Sequence, residues 1–161
     1  MSIDRDLFKS ALRRWASGVT IVTTRAGGQL AGMTASAFSS VSLAPPLVLV
    51  CIEKKAHTLP LLEESGIFAV NMLAHDQREL ADRFAATGNE AQRFDGIVCR
   101  SGPTGAPWLP DTLAVLDCRV AAAHDAGDHI IYVGSVEAAE FAASRQPLLH
   151  YDAKYRALVP G

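Results

Sequence analysis

Phe8, Leu12 and Trp15 recur at three- and four-residue spacing behind Asp4, which predicts a helix over residues 4–16, capped by Asp4 and ended by Gly18. The period then shortens. Residues 19–24 are a run of β-branched side chains and read as a strand. Gly27-Gly28 turns the chain into a second strand at 29–37, the signature of a hairpin. A short strand at 38–43 ends at Pro45-Pro46, and the apolar run 47–53 has the character of a buried strand. A helix is predicted at 58–65, closed by Gly66, and a strand at 67–73. Leu80 and Phe84, four apart behind Asp76, predict a further helix at 76–85.

Residues 86–112 are rich in Gly, Pro, Asn and Asp, and only 97–100 resemble a strand. This reads as a long irregular loop, of the kind that is often functional or mobile. Two long strands, 113–124 and 130–141, then face each other across the turn Asp125-Ala126-Gly127-Asp128. The tail, 148–159, holds a last strand. Six or seven strands with hairpin connections argue for a barrel or sandwich over a doubly wound sheet. The predicted fold is mainly β and mostly antiparallel, a β-barrel with α insertions.

Composition narrows the function classes. A length of 161 residues fits one domain spanning 1–161, and 49% hydrophobic with 20% charged residues supports a core without disulfides or structural metal. Fifteen basic and 17 acidic residues leave a net charge of −2, which favours neither nucleic-acid binding nor a polybasic membrane contact. The apolar run near Pro46 is too short to span a bilayer. The amphipathic N-terminus lacks a signal-peptide pattern, so a cytoplasmic location is expected. Cys51, Cys99 and Cys118 form no CxxC and sit in apolar runs, as buried small hydrophobes would in a reducing compartment.

No GxGxxG, P-loop, HExxH or GxSxG motif is present, and the five histidines are dispersed. A Rossmann site, a conventional triad and a metal site are therefore not expected. Three segments remain. In Gly32-Met33-Thr34-Ala35-Ser36-Ala37-Phe38-Ser39-Ser40-Val41-Ser42, small and hydroxylated side chains crowd a strand and turn. They would let a flat ligand approach the backbone, or simply form a Ser/Thr-rich strand. In Glu53-Lys54-Lys55-Ala56-His57-Thr58, two lysines precede a helix N-terminus with Thr58 as its cap. That is either a phosphate environment or a solvated basic turn. In Gly127-Asp128-His129, a histidine opens a strand at a tight turn, at a barrel mouth or bonded to Asp128 or solvent.

Together these segments resemble the short-chain flavin reductase family, whose domain is an FMN-binding split β-barrel. The stretch GMTASAFSSVSLAPPLVLVCI carries most of the resemblance. Phe68 to Leu73, Glu79 to Phe84, the Gly127-Asp128-His129 turn and Pro147 to Tyr151 extend it in order. The resemblance implies an NAD(P)H-dependent flavin oxidoreductase that reduces FMN or FAD by hydride transfer from NADH or NADPH. It also implies a homodimer and a partner monooxygenase that receives the reduced flavin. By the same resemblance Met33, Thr34, Ala35, Ser36, Ser40 and Ser42 line the flavin. Lys54, Lys55 and Thr58 hold its phosphate, and His129 lies near the nicotinamide. Glu53 stands where the family more often has Asn or Asp, so it is expected to point away or to be offset by Lys54 and Lys55. The alternatives are a flavin-binding module or sensor without fast turnover, a pyridoxamine-phosphate-oxidase-like enzyme, and haem binding on the same barrel type. The second lacks support from an extra phosphate-binding Arg cluster.

Overall fold

Asp4 does cap the first helix. In the computed structural model, which describes residues 2–159, its Oδ1 accepts from Asp6 N at 3.1 Å and Leu7 N at 2.9 Å. Such a cap is worth about 1 kcal/mol. Helix α1 spans Arg5–Leu12, shorter than predicted, because Ser17–Gly18 are drawn out as strand β1. In chain order β2 (Thr20–Ala26), β3 (Gln29–Ala35), β4 (Phe38–Leu43) and β5 (Pro46–Glu53) follow. Helix α2 (Thr58–Ser65), β6 (Ile67–Met72) and α3 (Arg78–Ala85) come next. After a single 3₁₀ turn at Glu90–Gln92 come β7 (Arg100–Ser101), β8 (Pro107–Trp108), β9 (Ala114–Ala126) and β10 (His129–Phe141). The predicted last strand is instead a small hairpin, β11 (Leu149–Tyr151) and β12 (Lys154–Arg156), and β1 pairs with β11.

Seven strands form one antiparallel sheet in the order β3-β2-β6-β9-β10-β5-β4. Its edge strands β3 and β4 are consecutive in sequence and separated only by Ser36-Ala37. The sheet must therefore curl back on itself. Ala37 O accepts from Cys51 N of β5 at 3.1 Å, which extends the β4–β5 pairing into that connection, and β3 and β4 share no ladder. The result is a split barrel.

Alternate residues fill the interior: Val22, Val48, Val50, Ile52, Phe68, Val70 and Tyr132, with Leu59 and Leu62 of α2 packed against them. A Cβ at Gly134 would run into the Phe68 ring, so glycine is what admits that ring. Cys118 is fully buried here, and burial pushes its thiol up to about 12; Cys51 and Cys99 are half-buried. Gly66, in the left-handed conformation at φ 65°, ends α2 as predicted.

The loop 86–112 is not a free loop. It covers the outer face of β2, β6 and β9, where Ala106, Trp108 and Leu109 are buried. Polar residues on that face tie it down. Thr23 Oγ1 donates to Pro107 O at 2.5 Å, and Asn71 Oδ1 accepts from Leu109 N at 2.8 Å. Asp117 accepts from Thr104 N at 2.7 Å, Thr104 Oγ1 at 2.9 Å and Trp108 Nε1 at 3.2 Å. Helix α3 begins at Arg78, two residues later than predicted, because Ala74 bridges to Pro147 and Gln77 N donates to Ala74 O at 2.9 Å, which holds the intervening residues in a turn. Among the described residues no helix is long and apolar enough to cross a membrane.

Candidate functional site

The end of β3, the β5–α2 connection and the start of the 86–112 loop enclose a groove of about 670 Å³. Met33 and Thr34 line it from β3, and Glu53, Lys55, Ala56 and His57 from the β5–α2 connection. Glu90 and Arg93 come from the loop. Sequence reasoning missed these last two. The only signal was the Gly- and Asn-rich composition that precedes them.

Local structure sets each group. Thr34 Oγ1 donates to Ala81 O at 2.6 Å, so its remaining lone pairs are what a ligand would meet. Arg93 donates to Gly32 O at 2.8 Å and Ala86 O at 2.6 Å, tying β3 to the chain beyond α3. Its Nε is buried without a partner, and burial lowers its pKa against the opposing pull of Glu90. Glu90 Oε1 accepts from Gly88 N at 3.1 Å and lies 3.9 Å from His57 Nε2. Backbone hydrogen bonds, first at Glu90 and then at Gly88, hold its carboxyl below the ordinary range.

Helix α2 begins without a side-chain cap, since His57 occupies the cap position and makes no capping bond. Thr58, predicted as the cap, is the first helical residue. It is 1% exposed, and its hydroxyl has no hydrogen-bond partner among the described residues. A buried hydroxyl without a partner costs free energy. Thr58 does not line the groove, whereas Lys55 and His57 at the uncapped start of α2 do, and a cation beside a helix N-terminus suits an oxyanion such as a flavin phosphate. The residues present therefore fit that group.

The other predicted residues divide. Ala35 is buried and its carbonyl accepts from Thr20 Oγ1 at 2.6 Å. Ser36 faces a second groove of about 600 Å³, shared with Trp15, Phe38 and His150. Ser40 and Ser42 lie on the β4 edge, on either side of a bulge. Lys54 does not line the 670 Å³ groove; its Nζ pairs with Asp125 Oδ2 at 2.7 Å. Lys55 is thus the lysine that lines the groove, and Glu53 lines it too and does not point away from it. His129 sits opposite Glu53 in the β10–β5 register, one strand away from the groove, with Nδ1 2.6 Å from Asp128 Oδ1. Among the described residues no cluster of His, Cys, Asp and Glu could hold a metal ion.

Residues 12–159 match the family model described as flavin reductase like domain. The chain belongs to the flavin reductase family. It is 41% identical over 155 residues to the reductase component of 4-hydroxyphenylacetate 3-monooxygenase from Thermus thermophilus, covering 96% of this chain and 97% of that one. It is equally identical, over 153 residues, to an NADH-dependent flavin reductase from a Rhodococcus species, covering 93% of this chain and 84% of that one. An NADH:FAD oxidoreductase from Streptomyces globisporus, solved with NAD and FAD fragments, superposes with a TM-score of 0.91 at 34% identity. That match covers 98% of this chain and 94% of the other. The flavin reductase fold is therefore the split barrel described above.

Proposed function

We propose that residues 1–161 act as one flavin reductase domain that moves hydride from NADH or NADPH to FMN or FAD. The reduced flavin then serves a partner oxygenase, as the names of the relatives suggest. The observation that carries this reading is the uncapped start of α2, which with Lys55 and His57 opens on a groove walled by β3. Lys55, Thr58 and the α2 N-terminus hold the flavin phosphate, while Met33, Thr34 and Ala35 back the flat ring. Bound flavin supplies the electron-accepting chemistry. The chain aligns the two cofactors and shields them, since hydride transfer demands a close approach of about 3–3.5 Å more than an acid or base. His129 contacts the nicotinamide from the neighbouring strand. Lys54, at the end of β5, is tied to β9 through Asp125.

Two apolar surfaces support a homodimer. Helix α1 buries none of its residues, and Leu7, Phe8, Leu12 and the nearby Trp15, 78% exposed, form one apolar side. The β4 edge adds Val41 and Leu43. A second copy covers them, along the groove that Ser36 lines. The reductase works in the cytoplasm, where its three free thiols stay reduced.

Anaerobic addition of NADH, then NADPH, to protein mixed with FMN or FAD tests the activity. The flavin absorbance bleaches with at least one pair. Bleaching no faster than in a protein-free control with all four pairs would remove the reductase reading. Light scattering reports a dimer in the same sample.

A further inference from the structure

The groove assigned above to the flavin phosphate is lined by two cations, Lys55 and Arg93, and two carboxylates, Glu53 and Glu90. They are not equally available to a ligand. Arg93 is 7% exposed, and its terminal nitrogens donate to Gly32 O at 2.8 Å and Ala86 O at 2.6 Å. Its charge is met by half-buried Glu90, 3.8 Å away. These two offset each other within the wall.

Glu53 and Lys55 remain, both exposed and two residues apart where β5 gives way to α2. Lys54, between them, pairs with Asp125 at 2.7 Å and does not line the groove. A ligand therefore meets one free ammonium with a carboxylate at its side.

That combination discriminates between anions. The phosphate of FMN is a monoester and carries about −1.5 to −2 charge at pH 7 on one phosphorus. Lys55 and the start of α2, equivalent to about half a positive charge, do not neutralise it with Glu53 alongside. Each phosphorus of FAD has a single ionisable oxygen, whose charge Lys55 matches. FAD also brings an adenosine ribose with two hydroxyl donors. An ionised carboxylate only accepts, so Glu53 repels a crowded phosphate and suits a diol.

We propose that Glu53 makes this groove selective for FAD over FMN, by accepting hydrogen bonds from the adenosine ribose hydroxyls and repelling a phosphomonoester dianion. The proposal rests on the placement of the flavin phosphate beside Lys55.

Isothermal titration calorimetry of the flavin-free protein tests it without turnover, using FMN, FAD and an FAD analogue whose adenosine lacks both ribose hydroxyls. Wild type binds FAD at least about tenfold more tightly than FMN or the analogue, the scale of a hydrogen bond to a charged group. E53Q, similar in shape but uncharged, binds FMN more tightly than wild type does, and its FAD-to-FMN ratio falls. E53A binds FAD and the analogue alike. A purely structural role for Glu53 would move all three ligands together.

K55A separates this proposal from the reading beneath it. Both natural flavins bind more weakly to K55A when their phosphate lies beside Lys55. Unchanged affinities in K55A, or no binding of either flavin by wild type, overturn the phosphate placement and the proposal with it. Weaker binding in K55A, beside a wild type that does not prefer FAD or a ratio that E53Q leaves unaltered, overturns the proposal alone.

Discussion

Strands β2, β6 and the first half of β9 are buried on both faces, and the outer face adds to its apolar contacts a set of polar ties that the inner face lacks. Inward, Val22, Phe68, Val70 and Cys118 pack as an apolar core. Outward, Thr23, Asn71 and Asp117 are equally buried, but their neighbours are backbone and side-chain donors and acceptors of the 86–112 loop. The inner face needs volume and apolar surface. Its partners can be exchanged for others of similar shape. The outer face needs particular atoms at particular distances, because a buried polar group without a partner costs about 1–3 kcal/mol. A loop that looks unstructured in composition can therefore be held nearly as firmly as a core.

The largest expected effect lies on the inner face. Phe68→Ala removes a fully buried ring and leaves a cavity beside Gly134. It should cost about 3–5 kcal/mol in urea unfolding. A loss below about 1 kcal/mol would mean the barrel interior collapses freely around the gap.

On the outer face, Asp117→Ala strands Thr104 N, Thr104 Oγ1 and Trp108 Nε1 at once. A loss of about 2–3 kcal/mol is expected. Hydrogen exchange should rise selectively in residues 102–109. Uniform exchange across the barrel would show that the loop and the sheet open as one unit.

Two buried threonines sharpen the contrast. Thr23→Val removes two made hydrogen bonds, one to Pro107 O and one from Asn71 Nδ2, and should cost about 1–3 kcal/mol of stability. Thr58→Val removes a hydroxyl that has no partner, so stability holds or rises slightly. Its flavin affinity should nevertheless fall about tenfold, a hydrogen bond to a charged group being worth about 1.5–3 kcal/mol. Titration of each variant with FMN and FAD separates these outcomes. Unchanged affinity in Thr58→Val would take that hydroxyl out of the site.

The smallest effect belongs to the exposed Asp76–Arg145 pair. The hydrogen bond from Arg145 lowers the Asp76 pKa. Its contribution is therefore present above the ordinary carboxylate range and is lost as pH falls through the lower folded value. Arg145→Met should flatten the acid side of the stability profile and leave neutral pH almost unaltered. A large loss at pH 7 would give the pair a structural weight its exposure does not suggest.

Part of the candidate groove is legible one segment at a time. The Met33–Ala35 strand and the Lys55–Thr58 helix start were singled out because small residues and a cationic helix N-terminus have local signatures. Glu90 and Arg93 have none. They reach the groove only because the loop docks on the sheet. Lys54 and Lys55 are indistinguishable in sequence. The ladder decides between them, since it places Asp125 within reach of Lys54 and leaves Lys55 at the groove.

By itself, then, the sequence determined what depends on neighbours a few residues away. Alternation predicted the strands, Asp4 and Gly66 bounded their helices, and Gly127 made a turn between two long strands. Tertiary structure alone decided the rest. It shortened α1 by pairing Ser17–Gly18 with β11, turned the predicted last strand into a hairpin, and anchored the loop to Thr23, Asn71 and Asp117. The reason is physical. A hydrogen bond or apolar contact between residues far apart in the chain has no local period, and it forms only after the sheet has curled to bring both partners together.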